Sequence, residues 1–176
     1  TVNVFARELG LPSHLALAWR MVQHGTEAVI DVAEAEFANG GQPRRFCFVQ
    51  MAGAGVDSRA IEMVDWEQKK RLGQIAYLVA GVKAMAAAKP QIVVTNGQET
   101  LAGEQVLIGN GRFYGGSFAL FPLASLRDGL LDATILTRAN WSTLLRGAWN
   151  LFHRRLYSTR GVRHLRGETR HLSSPA

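Results

Sequence analysis

Gln91-Ile92-Val93-Val94-Thr95-Asn96-Gly97 is the stretch that decides the fold. A β-branched run stops at Asn-Gly, the dipeptide whose tolerance of positive φ marks a tight hairpin turn, and a second run follows from Thr100 to Ile108. Working outward, Phe118 to Phe121, Ala133-Thr134-Ile135-Leu136-Thr137 and Gly161-Val162-Arg163-His164-Leu165-Arg166 continue the strand texture. Between the last two, Asn140-Trp141-Ser142 opens a helix expected to reach about Tyr157. Toward the start, Glu27 to Val32 and Arg45 to Met51 predict a second hairpin, turned at Asn39-Gly40-Gly41. Ahead of it, His14 to Val22 predicts a helix capped by Ser13 and stopped at Gly25, with Leu15, Ala18, Trp19 and Val22 as its apolar face. A longer helical region is expected from near Ser58 to Pro90, broken around Gly73, where Leu72, Ile75, Val79, Val82 and Ala86 recur at the helical period after Lys69-Lys70-Arg71. The fold class is α+β, largely antiparallel sheet with interposed helices.

The 176 residues, 47% hydrophobic and 19% charged, suffice for one well-buried core and hence one domain. No apolar run reaches the ~18 residues of a membrane span, and no signal peptide is evident, so a soluble protein is expected. Cys47, the single cysteine, lies in Arg45-Phe46-Cys47-Phe48-Val49, lacks a partner for a disulfide or a cysteine-based zinc site, and reads as a core residue of a cytoplasmic protein. The net charge of +6 is unevenly placed: from Arg138 to Arg170 stand eight arginines against one acid, Glu168. A solvated face, anionic lipid headgroups and nucleic-acid phosphates all tolerate such a surface. Without an RNA-recognition signature, a zinc finger or interleaved aromatic and basic residues, no nucleic-acid partner is expected.

Glycine concentrates in Gly109-Asn110-Gly111-Arg112-Phe113-Tyr114-Gly115-Gly116-Ser117-Phe118, and Leu126-Arg127-Asp128-Gly129-Leu130-Leu131-Asp132 follows closely. Glycines permit positive φ and close approach of backbone to a ligand, although two strand-connecting turns would show the same composition. Three glycine-based chemistries fail on spacing. Gly53-Ala54-Gly55-Val56-Asp57-Ser58 lacks the third glycine and the later acid of a dinucleotide fingerprint. Gly115-Gly116-Ser117-Phe118-Ala119 lacks the last glycine of a nucleophile elbow, and Pro122 obstructs the helix that should follow. No Lys-Ser or Lys-Thr follows any glycine run, which excludes a Walker loop. The histidines, 14, 24, 153, 164 and 171, show no metal-ligand spacing and read as surface or interface residues. Asp128, between Arg127 and Gly129 in a tight turn, offers one hard carboxylate beside turned carbonyls, a set suited to Mg²⁺ or Ca²⁺; an ordinary Asp-Gly turn is the competing reading.

Five blocks carry a resemblance. Thr1-Val2-Asn3-Val4-Phe5-Ala6-Arg7-Glu8-Leu9-Gly10-Leu11-Pro12 resembles the "G-T-x-N-x-F-A-R-x-L-G-I-P" boundary of the diacylglycerol kinase catalytic family, which includes the bacterial lipid kinases. Ile30-Asp31-Val32 resembles its "ID-hydrophobic" strand, Ala52-Gly53-Ala54-Gly55-Val56-Asp57 its "AG-x-G-F-D" turn, and Lys89-Pro90 the end of its central helix. Asn110 to Gly116, Pro122-Leu123-Ala124 and Asp128-Gly129-Leu130-Leu131-Asp132 are similar to its "NG-x-x-x-GGG…P-x-A…DGLLD" block. Each block is short, and their shared order over residues 1 to about 137 makes the likeness specific. Val4 departs from a frequent aspartate and Ser117 from the third glycine, so no acid role attaches to position 4.

The resemblance implies an NAD-kinase-like architecture: a nucleotide-binding first domain with a "GGDGT" loop, and a second, mainly antiparallel β-sandwich domain to which residues 1–176 would correspond. It implies an ATP- and Mg²⁺-dependent kinase acting on the hydroxyl of diacylglycerol or a related lipid, a sphingoid base or phosphatidylglycerol, at the cytoplasmic face of a membrane. ATP would be bound mainly by the other domain, with Thr1 at the edge of the nucleotide site. Asp128 matches a structural Mg²⁺ ligand, with the carbonyls of Ser125 and Leu130 beside it. The family's catalytic acid belongs to a later "LDGE" motif; Asn96-Gly97 is not that motif, no catalytic residue transfers to this chain, and the chain by itself is expected to be inactive. The helical region near 61–86 is a candidate acyl-chain surface, with core packing as the alternative. A homodimer stays open, as does a non-catalytic lipid- or protein-interaction module that kept the fold.

Overall fold

The structure is a computed structural model and describes residues 3–39, 42–56, 89, 91–114, 116–153, 159–168 and 171–173. The expected helix from Ser58 to Pro90, its candidate acyl-chain face and Lys69-Lys70-Arg71 lie outside the described residues, apart from Lys89. Three helices are described, α1 (Val4–Glu8), α2 (Leu15–His24) and α3 (Trp141–Phe152). The strands are β1 (Ala33–Asn39), β2 (Gln42–Phe48), β3 (Met51–Gly55), β4 (Ile92–Thr95), β5 (Thr100–Gly103), β6 (Gln105–Gly109), β7 (Phe113–Tyr114), β8 (Phe118–Ala119), β9 (Leu131–Leu136), β10 (Val162–Gly167) and β11 (His171–Ser173).

All strand pairs are antiparallel. A four-stranded sheet runs β10-β9-β6-β3, and a three-stranded sheet runs β11-β4-β5. Side chains alternate across a strand, so Val106 and Ile108 of β6 point to one side and Leu107 to the other. On the first side they meet Ile92 and Val94 of β4, Ala133 and Ile135 of β9 and Leu165 of β10, the core between the two sheets. On the second side Leu107 and Val162 meet Leu120, Phe121 and Ala124 from the 120–124 segment. Every residue of β6 is buried as a result.

The expected single run from Thr100 to Ile108 is two strands in two sheets. Gly103 and Glu104 form the corner: a Cβ at 103 would come within 2.5 Å of both Ile135 Cγ2 and the Leu136 carbonyl oxygen, so only glycine lets the chain pass. Glu104 fastens the corner, accepting from the Ala139 amide at 2.7 Å while its own amide donates to Leu136 O at 3.0 Å. At Asn96-Gly97 the expected turn is present, with Asn96 Oδ1 accepting from the Gln98 and Glu99 amides and Gly97 at φ +86°.

Several expectations are corrected. The hairpin's first strand is Ala33–Asn39 rather than Glu27 to Val32, because Asp31 is drawn into contacts described below. Cys47 is exposed, since among the described residues β1 and β2 pair only with each other and the Cys47 face is open to solvent. Ser13 does not cap α2; His14 occupies the cap position without a side-chain bond, and Gly25 ends the helix as expected. The face of α2 assigned to a core is exposed at Leu15, Trp19 and Val22. Only Phe118–Ala119 of the 118–121 run is strand, because Leu120 and Phe121 turn under the sheet. His164 is half-buried and shares a 3.0 Å hydrogen bond through Nδ1 with Thr134 Oγ1, not a surface residue.

Candidate functional site

The turn carrying Asp128 is built by residues far from it in sequence. Asp31 binds it twice: its amide donates to Leu126 O at 2.7 Å, and its Oδ2 accepts from the Gly129 amide at 2.8 Å. Asp128 Oδ1 accepts from the Leu130 amide at 3.0 Å, an Asx-type closure of the turn. Gly129 adopts φ +66° with open space around its missing Cβ. Gly129→Ala therefore meets only backbone strain, an expected loss of about 1–2 kcal/mol measurable as a lowered denaturation midpoint.

Opposite the turn, Arg166 of β10 sits across the ladder from Asp132 of β9. Its guanidinium donates to Asp128 Oδ2 at 2.5 Å and to Leu123 O at 2.9 Å, and lies 3.3 Å from Asp132 Oδ2. Arg166, exposed like the neighbouring arginines, thus holds two carboxylates together.

Asn110 anchors the glycine-rich block. It is 2% exposed, and its amide nitrogen donates to Asp31 O and Val49 O at 2.9 and 3.0 Å, tying β6 to the chain on either side of the β1–β2 hairpin. Beyond it, Glu8 at the end of α1 accepts from the Arg112 amide and Nε, both at 2.8 Å, and from Gln50 Nε2 at 3.3 Å. The guanidiniums of Arg7 and Arg112 both lie over the Phe113 ring, 5.5 and 5.2 Å from its centroid. A Cβ on Gly111 would come within 2.5 Å of the Gln50 amide, so this glycine serves packing. Asn3 caps α1, its Oδ1 accepting from the Phe5 and Ala6 amides. Thr1 lies outside the described residues.

A cleft of about 960 Å³ opens beside these elements. Phe46, Phe48, Ile108, Leu131 and Leu172 give it an apolar wall, Asp31, Gly129 and Leu130 of the braced turn share its lining, and Glu34, Glu36 and Glu168 add carboxylates. Such a space admits an elongated apolar group with a polar end near the turn.

Among the described residues no three His, Cys, Asp or Glu side chains converge as metal ligands. A cation at the turn would therefore rest on the Asp128 carboxylate, backbone carbonyls and water. That hard-oxygen set fits Mg²⁺, which is commonly held by one or two carboxylates and keeps several waters. Each carboxylate oxygen retains a lone pair beyond its bond to Leu130 or Arg166.

The sequence profile of the YegS C-terminal NAD kinase beta sandwich-like domain matches residues 50–175. The chain belongs to this family. Among curated relatives of this YegS-type chain, "Probable lipid kinase YegS-like" of Enterobacter sp. (strain 638) is 33% identical over 140 residues, covering 78% of this chain and 44% of the relative. "Lipid kinase YegS" of Escherichia coli (strain K12) is 31% identical over 140 residues, with the same shares covered. The chain spans less than half the length of these relatives. The crystal structure of a diacylglycerol kinase from Bacillus anthracis str. Sterne superposes with a TM-score of 0.64 at 23% identity, over 100% of this chain and 55% of that one. That likeness concerns the fold, and it agrees with the expected mainly antiparallel, sandwich-like architecture.

Of the residues singled out from sequence, Ser125, Asp128 and Leu130 fall within one turn. Sequence reading missed Asp31 as its brace and Arg166 as its counter-ion. The "ID" block was the available signal for Asp31; Arg166 had none, because its place opposite Asp132 is set by the strand register of the fold.

Proposed function

We propose that this chain forms the lipid-side part of an ATP- and Mg²⁺-dependent lipid kinase, which transfers the γ-phosphoryl group of ATP to the hydroxyl of diacylglycerol or of a related sphingoid base or phosphatidylglycerol at the cytoplasmic face of a membrane. One observation supports the reading most: in a chain whose relatives are named lipid kinases, a cleft with an apolar wall shares its lining with the Asp31-braced turn. The acyl chains would lie along Phe46, Phe48 and Leu172, leaving the hydroxyl end toward Gly129 and Leu130. In the reaction the hydroxyl loses its proton, its oxygen bonds to the γ-phosphorus, and ADP leaves. ATP and the proton-accepting group would belong to other parts of the protein, with Thr1 donating a hydrogen bond at the nucleotide's edge. Mg²⁺ held by Asp128 and the carbonyls of Ser125 and Leu130 would share the carboxylate with the Arg166 guanidinium and stiffen the turn.

The test uses the whole protein that contains this chain, with γ-labelled ATP and each acceptor lipid in detergent micelles. Labelled lipid is expected, with at least about a tenfold loss for Asp128→Ala if the turn positions the acceptor. No labelled product from any of the three lipid classes would overturn the kinase reading. Mg²⁺ is separately expected to raise the unfolding temperature of the unaltered protein, because a ligand that binds the folded state alone stabilises it. An equal rise in Asp128→Ala would remove Asp128 from the metal site.

A further inference from the structure

Helix α3 turns a stripe of large apolar side chains to solvent. Thr143 is buried, and Gly147 and Asn150, on the same face by helical spacing, are half-buried. On that side Asn150 Nδ2 donates to Thr159 Oγ1 at 2.9 Å, and Thr143 lies beside Gly161. Three large apolar side chains point away. Trp141, Leu145 and Trp149, at i, i+4 and i+8, form one stripe and are 50%, 68% and 67% exposed. Burying such side chains would contribute about 1.5–3 kcal/mol each, so the exposed stripe leaves that contribution for a partner to collect.

The surroundings of the stripe give its partner a charge. From 133 to 167 the sequence has seven arginines and no Asp or Glu. Arg138 precedes the helix, Arg146 flanks the stripe on its own helix, and Arg160 follows the exit; all three are exposed. The Trp149 indole packs on the His153 ring, centroids 4.6 Å apart, at the same end. Paired tryptophans, a leucine between them and flanking arginines are the composition of a helix that lies in a bilayer interface, where indoles settle at headgroup level and arginines meet lipid phosphates.

We propose that α3 is the membrane-docking element of this protein. Trp141, Leu145 and Trp149 enter the headgroup region of an anionic leaflet, and Arg138, Arg146 and Arg160 contact its phosphates. The proposal deepens the lipid-kinase reading and rests on it for its biological setting, yet it can be measured without phosphoryl transfer.

The whole protein is mixed with phosphatidylcholine vesicles with or without phosphatidylglycerol, in the absence of ATP, and vesicle-bound protein is separated by sedimentation across a salt series. Retention is expected on the anionic vesicles and should weaken with salt. The double variant Trp141→Ala/Trp149→Ala should lose at least about tenfold of it, at an unchanged unfolding temperature. Arg138→Glu/Arg146→Glu should lose it mainly at low salt. In the unaltered protein, tryptophan emission should shift to the blue on vesicles, and the shift should shrink in the tryptophan variant.

No retention by the unaltered protein overturns docking. Full retention by the tryptophan variant overturns it too. A fall of several degrees in that variant's unfolding temperature would show that another part of the protein covers the stripe, and dissociation of a dimer would show that a second copy does; either result overturns the proposal. Retention without transfer to any acceptor lipid would sink the kinase reading and leave docking standing. Transfer to micelle-dispersed lipid without vesicle retention would do the reverse.

Discussion

Phe121→Ala is expected to cost about 3–5 kcal/mol, the range for deleting a buried ring that leaves a cavity behind. Phe121 is fully buried, and its ring lies so close to β6 that a Cβ on Gly109 would come within 2.2 Å of it. Its backbone holds the strand of chain above it, with its amide donating to Arg112 O at 3.1 Å and its carbonyl accepting from the Ala124 amide at 3.0 Å. The ring therefore supports both the glycine-rich block and the approach to the Asp128 turn. Equilibrium urea unfolding should show a lower midpoint at unchanged slope. Phe121→Leu should recover part of the loss. An alanine variant as stable as the parent would mean that the core on this side of the sheet contributes nothing.

Arg166→Ala is expected to be the largest effect at the site, about 2–3 kcal/mol. The substitution leaves two carboxylates facing each other without their shared cation, and one of them, Asp132, has a side chain only 6% exposed. The estimate lies below that for a fully buried pair because Arg166 is itself 37% exposed and partly screened. Arg166→Lys should restore less than half, since an ammonium cannot fork between Asp128, Asp132 and the Leu123 carbonyl at once. A double-mutant cycle separates the partners: coupling to Asp132 should exceed coupling to Asp128, following their burial. Equal stability of Arg166→Ala and the parent would assign the three contacts no weight.

The strand texture was legible because alternation and turn chemistry are local. Asn96-Gly97 needs only its own side chain and one positive φ, and the turn falls where it was expected. The Asp128-Gly129 turn was legible for the same reason, while Ser125 and Leu130 were singled out through the family resemblance alone. What joins it to the fold was not: the Asp31–Gly129 bond spans 98 residues and the Arg166–Asp128 bond 38, and nothing local to Arg166 distinguishes it from the other arginines around it. Cys47 was misread because a short apolar run looks the same in a core and on an exposed hairpin. There the decisive contacts are the flanking charges, where Arg45 reaches Glu34 and Glu36 across the strands at 3.6 and 3.0 Å. The break between β5 and β6 had a visible signal in Gly103, whose meaning depends on the Ile135 side chain it must pass.

That corner at Gly103 and Glu104 also bears on how the domain comes apart. One short stretch of chain supplies a strand to each sheet, and β6 faces the inter-sheet core on one side and the Phe121 core on the other. Neither core can be lost while the other keeps its wall. The two cores on either side of β6 are therefore expected to unfold together, and a ligand that tightens one should raise the threshold for both.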